Sequence, residues 1–230
     1  MSNVNIWLWV LALIIAYLLG NISPSTLLAK AKGIDIHKEG SGNAGTTNAL
    51  RVMGKKAGVI TLVVDVLKGT IAVLIGFLLA GSAGETWCVL AVFCGHVWPV
   101  FYKFKGGKGV ACILGVFAVA EPLWAAVAFL GCFLYLLIFD YGAMASFIFI
   151  TCLTVIEAYK FRGNIPICTL LFILFFLTWF MHRQNIFRLL IGKENKVNLA
   201  KAIKKLKSKP KLTKNERQDA KEQQKQKEIG

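Results

Sequence analysis

Apolar residues run along this chain in long uninterrupted blocks, without the stripes that mark a water-facing helix. The blocks cover residues 6–22, 57–80, 86–101, 109–120, 123–139, 143–159 and 165–181. A helix rises about 1.5 Å per residue, so a bilayer core about 30 Å thick takes roughly 20 such residues. The pattern predicts an all-α integral membrane protein, a seven-transmembrane-helix bundle in which two short blocks are tilted, re-entrant or packed against protein. Neither Lys nor Arg precedes the first block and no small-residue cleavage site follows it, so it reads as a retained span rather than a signal peptide.

Composition agrees: 56% of residues are hydrophobic and 17% charged, whereas a soluble domain carries about a quarter. The net charge of +15 would suit nucleic acid, but the stretch from Lys193 onward holds 13 Lys/Arg against 5 Asp/Glu. The chain therefore divides into a multi-spanning body, 1–192, and a basic tail, 193–230. Leu199, Ile203 and Leu206 give the tail a short basic amphipathic pattern suited to anionic lipid, and beyond Pro210 its composition is that of a disordered segment. No aromatic interleaving or motif supports nucleic acid as a partner. With seven crossings, Lys30, Lys32, Lys38, Arg51, Lys55, Lys56, Lys103, Lys105, Lys108 and the tail share one side, which the positive-inside rule makes cytoplasmic, with the N-terminus outside. The six cysteines lie in apolar runs without a Cys-x-x-Cys pair, and His37, His96 and His182 are far apart, so neither a disulfide framework nor a local metal motif is indicated.

Three polar segments interrupt the apolar blocks. The first, GSGNAGTTNALR at 40–51, is too polar to span lipid; its glycines permit positive φ and converging N–H groups, and Arg51 adds a donor fork suited to phosphate. The second, GHVWPVFYKFKGGKGV at 95–110, puts Lys105 and Lys108 around Gly106-Gly107 just before an apolar helix, where orphan N–H groups and the helix dipole favour an anion. It is not a Walker A loop, because Gly109 follows Lys108 where Ser or Thr is required. The third, HRQNIFRLLIGKE at 182–194, reads as a helix that aligns His182, Asn185 and Arg188 on one face, with Glu194 a partner for one of the arginines. Asp65 and Lys68, at i and i+3 inside an apolar block, read as a structural ion pair near this site.

Together the three segments resemble those of the acyl-phosphate:glycerol-3-phosphate acyltransferases, small multi-spanning bacterial membrane enzymes. The likeness covers the hydrophobic body, through GSGN-x-G-x-TN-x-LR, GH-x-x-P-x-F-x-x-FKGGKGVA and HR-x-NI-x-RLL-x-G-x-E in that order. Ala44, Cys112 and Met181 stand where proline, threonine and a basic residue are usual. The resemblance implies seven helices, cytoplasmic glycine-rich loops in a bacterial cell membrane, and acyl transfer from acyl phosphate to the 1-hydroxyl of glycerol 3-phosphate, with no cofactor, no metal and a monomeric chain. It assigns catalysis to Ser41, Arg51, Lys105, His182 and Asn185. Substrate binding falls to Gly40, Gly42, Asn43, Gly45, Thr47, Asn48, His96, Gly106, Gly107, Lys108, Ser146 and Arg188. The hydroxyl proton would go to the acceptor's own phosphate or to His182. A transporter or channel for organic phosphates is the alternative, with the basic loops as a vestibule; transporters, however, usually bind at the midplane, and these loops cluster on one side.

Overall fold

Lipid offers no hydrogen-bond partners, so an apolar chain crossing it closes its backbone bonds internally, and the apolar blocks become helices. The structure, a computed structural model, describes residues 5–197; the amphipathic pattern of the tail and the segment beyond Pro210 lie outside the described residues. Those residues form α1 (Ile6–Gly20), α2 (Pro24–Ala31), α3 (Thr46–Met53), α4 (Lys55–Val97), α5 (Val110–Ala120), α6 (Pro122–Phe139), α7 (Gly142–Lys160) and α8 (Ile165–Leu190). Among them, Ile6–Ala31, Lys55–Tyr102, Pro122–Phe139, Gly142–Lys160 and Ile165–Leu190 are long and apolar enough to cross a membrane.

The long α4 absorbs two apolar blocks. Its backbone leaves the helix at Ala80 (φ −142°, ψ 18°) and Gly81 (φ 62°, ψ −156°). In a straight helix Gly76 and Gly84 would be about 12 Å apart; here a Cβ on Gly84 would collide with the carbonyl of Gly76, and one on Gly76 would lie 2.8 Å from Cys88 Sγ. The chain therefore reverses at Gly81, whose positive φ only glycine adopts without strain, and α4 is two antiparallel limbs. Its second limb packs closely on α1, where a Cβ on Gly20 would fall 2.8 Å from Gly95 Cα. Such small-residue contacts matter because lipid tails are as apolar as the side chains, so packing and not hydrophobicity holds membrane helices together.

The short block became α5, which at 11 residues is about 16 Å long and covers half a bilayer. It is packed against protein: Cys112 and Ile113 are fully buried, and Thr70 Oγ1 donates to Gly115 O at 2.8 Å. By contrast α6 buries only Ala125 and turns Leu123, Val127, Leu130, Leu134 and Ile138 outward, as a lipid-facing helix does. The core between α4, α5, α7 and α8 is filled by Phe93, Ile113, Ile150, Leu153 and Leu174.

Two short helices were not signalled by the apolar blocks. Pro24, with no N–H to lose, opens α2. The other, α3, takes the second half of the 40–51 segment, which the sequence presents as a loop: after Gly45 the run Thr-Thr-Asn-Ala-Leu-Arg winds into a helix whose Leu50 packs 2.9 Å from where a Gly58 Cβ would stand.

Candidate active site

The first polar segment is organised around Asn48, a buried amide on α3. Its Oδ1 accepts from Ser41 N at 2.8 Å and from Arg51 Nη1 at 3.4 Å, and its Nδ2 donates to Ile36 O at 3.3 Å and Glu39 O at 3.0 Å. One side chain thus closes the loop 36–41 and orients Arg51. Gly40 runs at φ +60°, and a Cβ there would strike Asn48 Oδ1. Beneath the loop Ala44 packs with Ala29 and Ile36.

The second segment folds back over the end of α4. Gly106 N donates to Val97 O and Gly107 N to His96 O, both at 3.1 Å. A Cβ on Gly107 would collide with His96 Nε2 and lie 3.0 Å from Ala44 O, so the two glycine segments meet here. In the first segment Gly42 N and Gly45 N likewise close on Glu39 O at 3.0 Å and Asn43 O at 2.9 Å. The expectation that glycine N–H groups cradle an anion therefore changes for Gly42, Gly45, Gly106 and Gly107: their N–H groups are spent on carbonyls, and these glycines shape the loops. Asn43 lies with its amide nitrogen 2.8 Å from where a Gly45 Cβ would stand.

From α8, Asn185 reaches the second segment: Lys108 Nζ donates to Asn185 Oδ1. Asn185 Nδ2 donates to Glu194 Oε1 at 2.8 Å, and Arg188 Nε to Glu194 Oε2 at 3.1 Å. Burial pushes the Lys108 ammonium down to about 8, with Arg188 adding to the shift and Glu194 opposing it. Arg51 is also held below its usual value, first by burial, again with Glu194 opposing and Arg188 reinforcing. Three cations, Arg51, Lys108 and Arg188, thus share the field of one carboxylate and keep a positive excess.

One turn before Asn185, His182 is fully buried against Phe147, ring centroids 5.7 Å apart. Its Nδ1 lies 2.9 Å from Thr178 O, a hydrogen bond only with the proton on Nδ1, so Nε2 carries the lone pair. That buried Nε2 has no protein partner among the described residues. Thr47 lies against Gly142, whose Cβ would be 3.0 Å from Thr47 Cγ2, linking α3 to the start of α7. On α7 the Ser146 hydroxyl is turned into its own helix, donating to Gly142 O at 2.9 Å. Lys105 is exposed on the loop rim.

A second polar cluster lies inside the bundle. Lys68 Nζ is 2.7 Å from Asp65 Oδ1, 3.0 Å from Gly20 O, 2.6 Å from Ile22 O and 2.9 Å from His96 Nδ1. Asp65, His96 and Cys112 have ligand atoms within 4.8 Å of one another, a donor set a metal could use; the Lys68 ammonium sits against two of the three. The link from Lys68 through His96 to the glycine loop was missed by the sequence reading, because it joins residues remote in the chain. Also missed was Glu157, buried at the far end of α7 near the Glu121–Lys160 ion pair; an acid inside an apolar run was its only signal.

A helical bundle with lipid-facing helices and a half-buried cationic cluster framed by two glycine-shaped loops has the build of an integral membrane protein. A family model described as glycerol-3-phosphate acyltransferase matches residues 10–192. The glycerol-3-phosphate acyltransferase of Thermoanaerobacter pseudethanolicus is 43% identical over 196 residues, 85% of this chain and 98% of that protein. PlsY (YgiH), an integral membrane glycerol 3-phosphate acyltransferase, matches in the crystal structure of its glycerol 3-phosphate form with TM-score 0.78 and 36% identity, covering 85% of this chain and 98% of that one. Its lysophosphatidic acid form matches with TM-score 0.73 and 37% identity, covering 82% and 94%. The chain belongs to the glycerol-3-phosphate acyltransferase family.

Proposed function

We propose that this member of the family takes its acyl group from acyl phosphate and transfers it to the 1-hydroxyl of glycerol 3-phosphate, releasing 1-acylglycerol 3-phosphate and inorganic phosphate. The carrying observation is the convergence of Arg51, Lys108 and Arg188 beside a histidine whose Nε2 lone pair is unclaimed. Both substrates bear phosphate, and an excess of half-buried cations suits their charge. An acyl phosphate brings its own leaving group, so no covalent enzyme intermediate is needed. The acceptor oxygen attacks the carbonyl carbon, the new ester C–O bond forms, and the bond to phosphate breaks with its electron pair leaving on phosphate.

In this reading Ser41, Arg51 and Lys105 take the phosphates with Lys108, and Thr47, Asn43 and the first-turn N–H groups of α3 complete the cradle that the glycines shape. His182 orients the acceptor by accepting the hydrogen bond of its 2-hydroxyl at Nε2, Asn185 holds the neighbouring Lys108, and the proton of the attacking 1-hydroxyl passes to a phosphate oxygen. Gly40, Asn48 and His96 support the two loops, Arg188 adds charge, and Ser146 borders the site from α7. This reading takes one chain as the active unit. Residues 1–192 form the membrane enzyme domain and 193–230 its basic tail, of which Glu194 closes the site.

The same reading takes seven crossings, counting the two limbs of α4 and the short α5, with the glycine segments and tail in the cytoplasm of a bacterial cell, as the lysine distribution supports. Single cysteines at Lys38 and Arg162 in an otherwise cysteine-free chain test it: an impermeant thiol reagent added to intact cells labels Arg162→Cys and spares Lys38→Cys. The reverse pattern contradicts it. Replacing Arg51 with Lys tests the site, since the ammonium lacks the planar fork: kcat/KM falls at least tenfold with the fold intact, and an unchanged value contradicts the assignment.

A further inference from the structure

The ammonium of Lys68 has three protons and no lone pair, so every close neighbour of its Nζ must accept. Gly20 O at 3.0 Å and Ile22 O at 2.6 Å do so by nature, and Asp65 Oδ1, 2.7 Å away, faces the ammonium as an ion-pair partner without a hydrogen bond to it. The fourth neighbour, His96 Nδ1 at 2.9 Å, can stand there only with its lone pair turned to Lys68. The ring proton is then on Nε2, at the other edge of the imidazole. Asp65 favours the opposite tautomer, since its Oδ1 lies 3.4 Å from the same Nδ1, but the ammonium is both closer and unable to accept.

That other edge meets the junction of the two glycine segments. A Cβ on Gly107 would strike His96 Nε2 and come within 3.0 Å of Ala44 O, and Gly107 N donates to His96 O at 3.1 Å. Lys108, the ammonium bonded to Asn185, is the next residue. The buried Lys68 also ties the end of α1 to both limbs of α4, through Gly20 O and Ile22 O on one side and His96 on the other.

We propose that Lys68 is a positioning residue for acyl transfer: its ammonium fixes His96 as the neutral Nε2–H tautomer and so sets the height of the Gly106-Gly107 segment, and with it Lys108, against α8. This rests on the acyltransferase reading for its kinetic consequence, but the tautomer itself does not depend on activity. A divalent cation is not needed at Asp65, His96 and Cys112, because Lys68 supplies the positive charge from within the chain.

Nitrogen-15 histidine spectra of the purified full chain in detergent test it, with the His96 signals assigned by loss in His96→Gln. The expected result is a protonated Nε2 and a bare Nδ1; protonation at Nδ1 overturns the proposal whatever the enzyme does. Kinetics then use the charge-neutral pair Asp65→Asn/Lys68→Met, because Lys68→Met alone strands a buried carboxylate and endangers the fold. The double variant keeps the melting temperature of the parent, loses the fixed tautomer, and loses about 10²-fold in kcat/KM, the scale of an ångström-level misplacement. Full kcat/KM in a folded double variant overturns the positioning role. Should the double variant fail to fold, the tautomer in the parent protein decides.

Discussion

Lys108 and Asn185 are hydrogen-bonded across 77 positions of sequence, ammonium to amide oxygen. The contact joins the glycine segment before α5 to the end of α8, and Glu194 holds the far side of the same amide. Neither partner is a free surface group, so each sets the other's chemistry.

The first consequence is a pH limit. Lys108 is charged below its pKa and neutral above it, and burial has brought that pKa to about 8. Anion binding by Lys108 is therefore present at pH 7 and lost as pH rises through about 8. The pH profile of kcat/KM, which reports the free enzyme, should fall above that value; Lys108→Arg, charged throughout, should lose the fall. A profile flat to pH 9.5 in the parent protein would remove Lys108 from phosphate binding.

Glu194 opposes the downward shift of Lys108, so neutralising it should exaggerate that shift. In Glu194→Gln the alkaline limb moves to lower pH, since the ammonium loses its favourable neighbour. A move to higher pH, or none with the fold intact, would show that Glu194 acts only as a structural hydrogen-bond acceptor.

His182 should orient and not take the proton. His182→Gln should lower kcat by about 10²-fold, at the low end of what a proton-transferring group contributes, while the shape of the pH profile persists. Disappearance of a limb with the imidazole would instead make Nε2 the base.

Gly107→Ala separates loop shape from helix stability. Its Cβ has no room beside His96 and Ala44, so activity should drop at least 10²-fold. Gly163→Ala, where nothing lies within 4 Å, should leave rate and melting temperature unchanged. Equal effects from the two would mean that crowding at His96 is relieved without harm.

Much of the bundle was legible in the sequence because in lipid a long apolar block has one structural solution. The reversal at Ala80–Gly81 was legible as the gap between two blocks, and His182, Asn185 and Arg188 as one face of a helix. The short helices α2 and α3 were not, since their apolar residues are few and their stability comes from packing on α4. Nor could spacing reveal that Gly42, Gly45, Gly106 and Gly107 spend their N–H groups on carbonyls, which depends on loop closure. Asn48 stood out as a polar residue in a glycine-rich motif; its role as the hub for Ser41, Arg51, Ile36 and Glu39 needed three dimensions.

The identity of the acyl donor bears most directly on the central claim. Purified protein, given glycerol 3-phosphate and palmitoyl phosphate, should form acylglycerol phosphate and inorganic phosphate in equal amounts, and palmitoyl-CoA in a parallel reaction should give neither. Product from the CoA thioester alone, or from neither donor in a detergent that preserves the fold, would contradict the account.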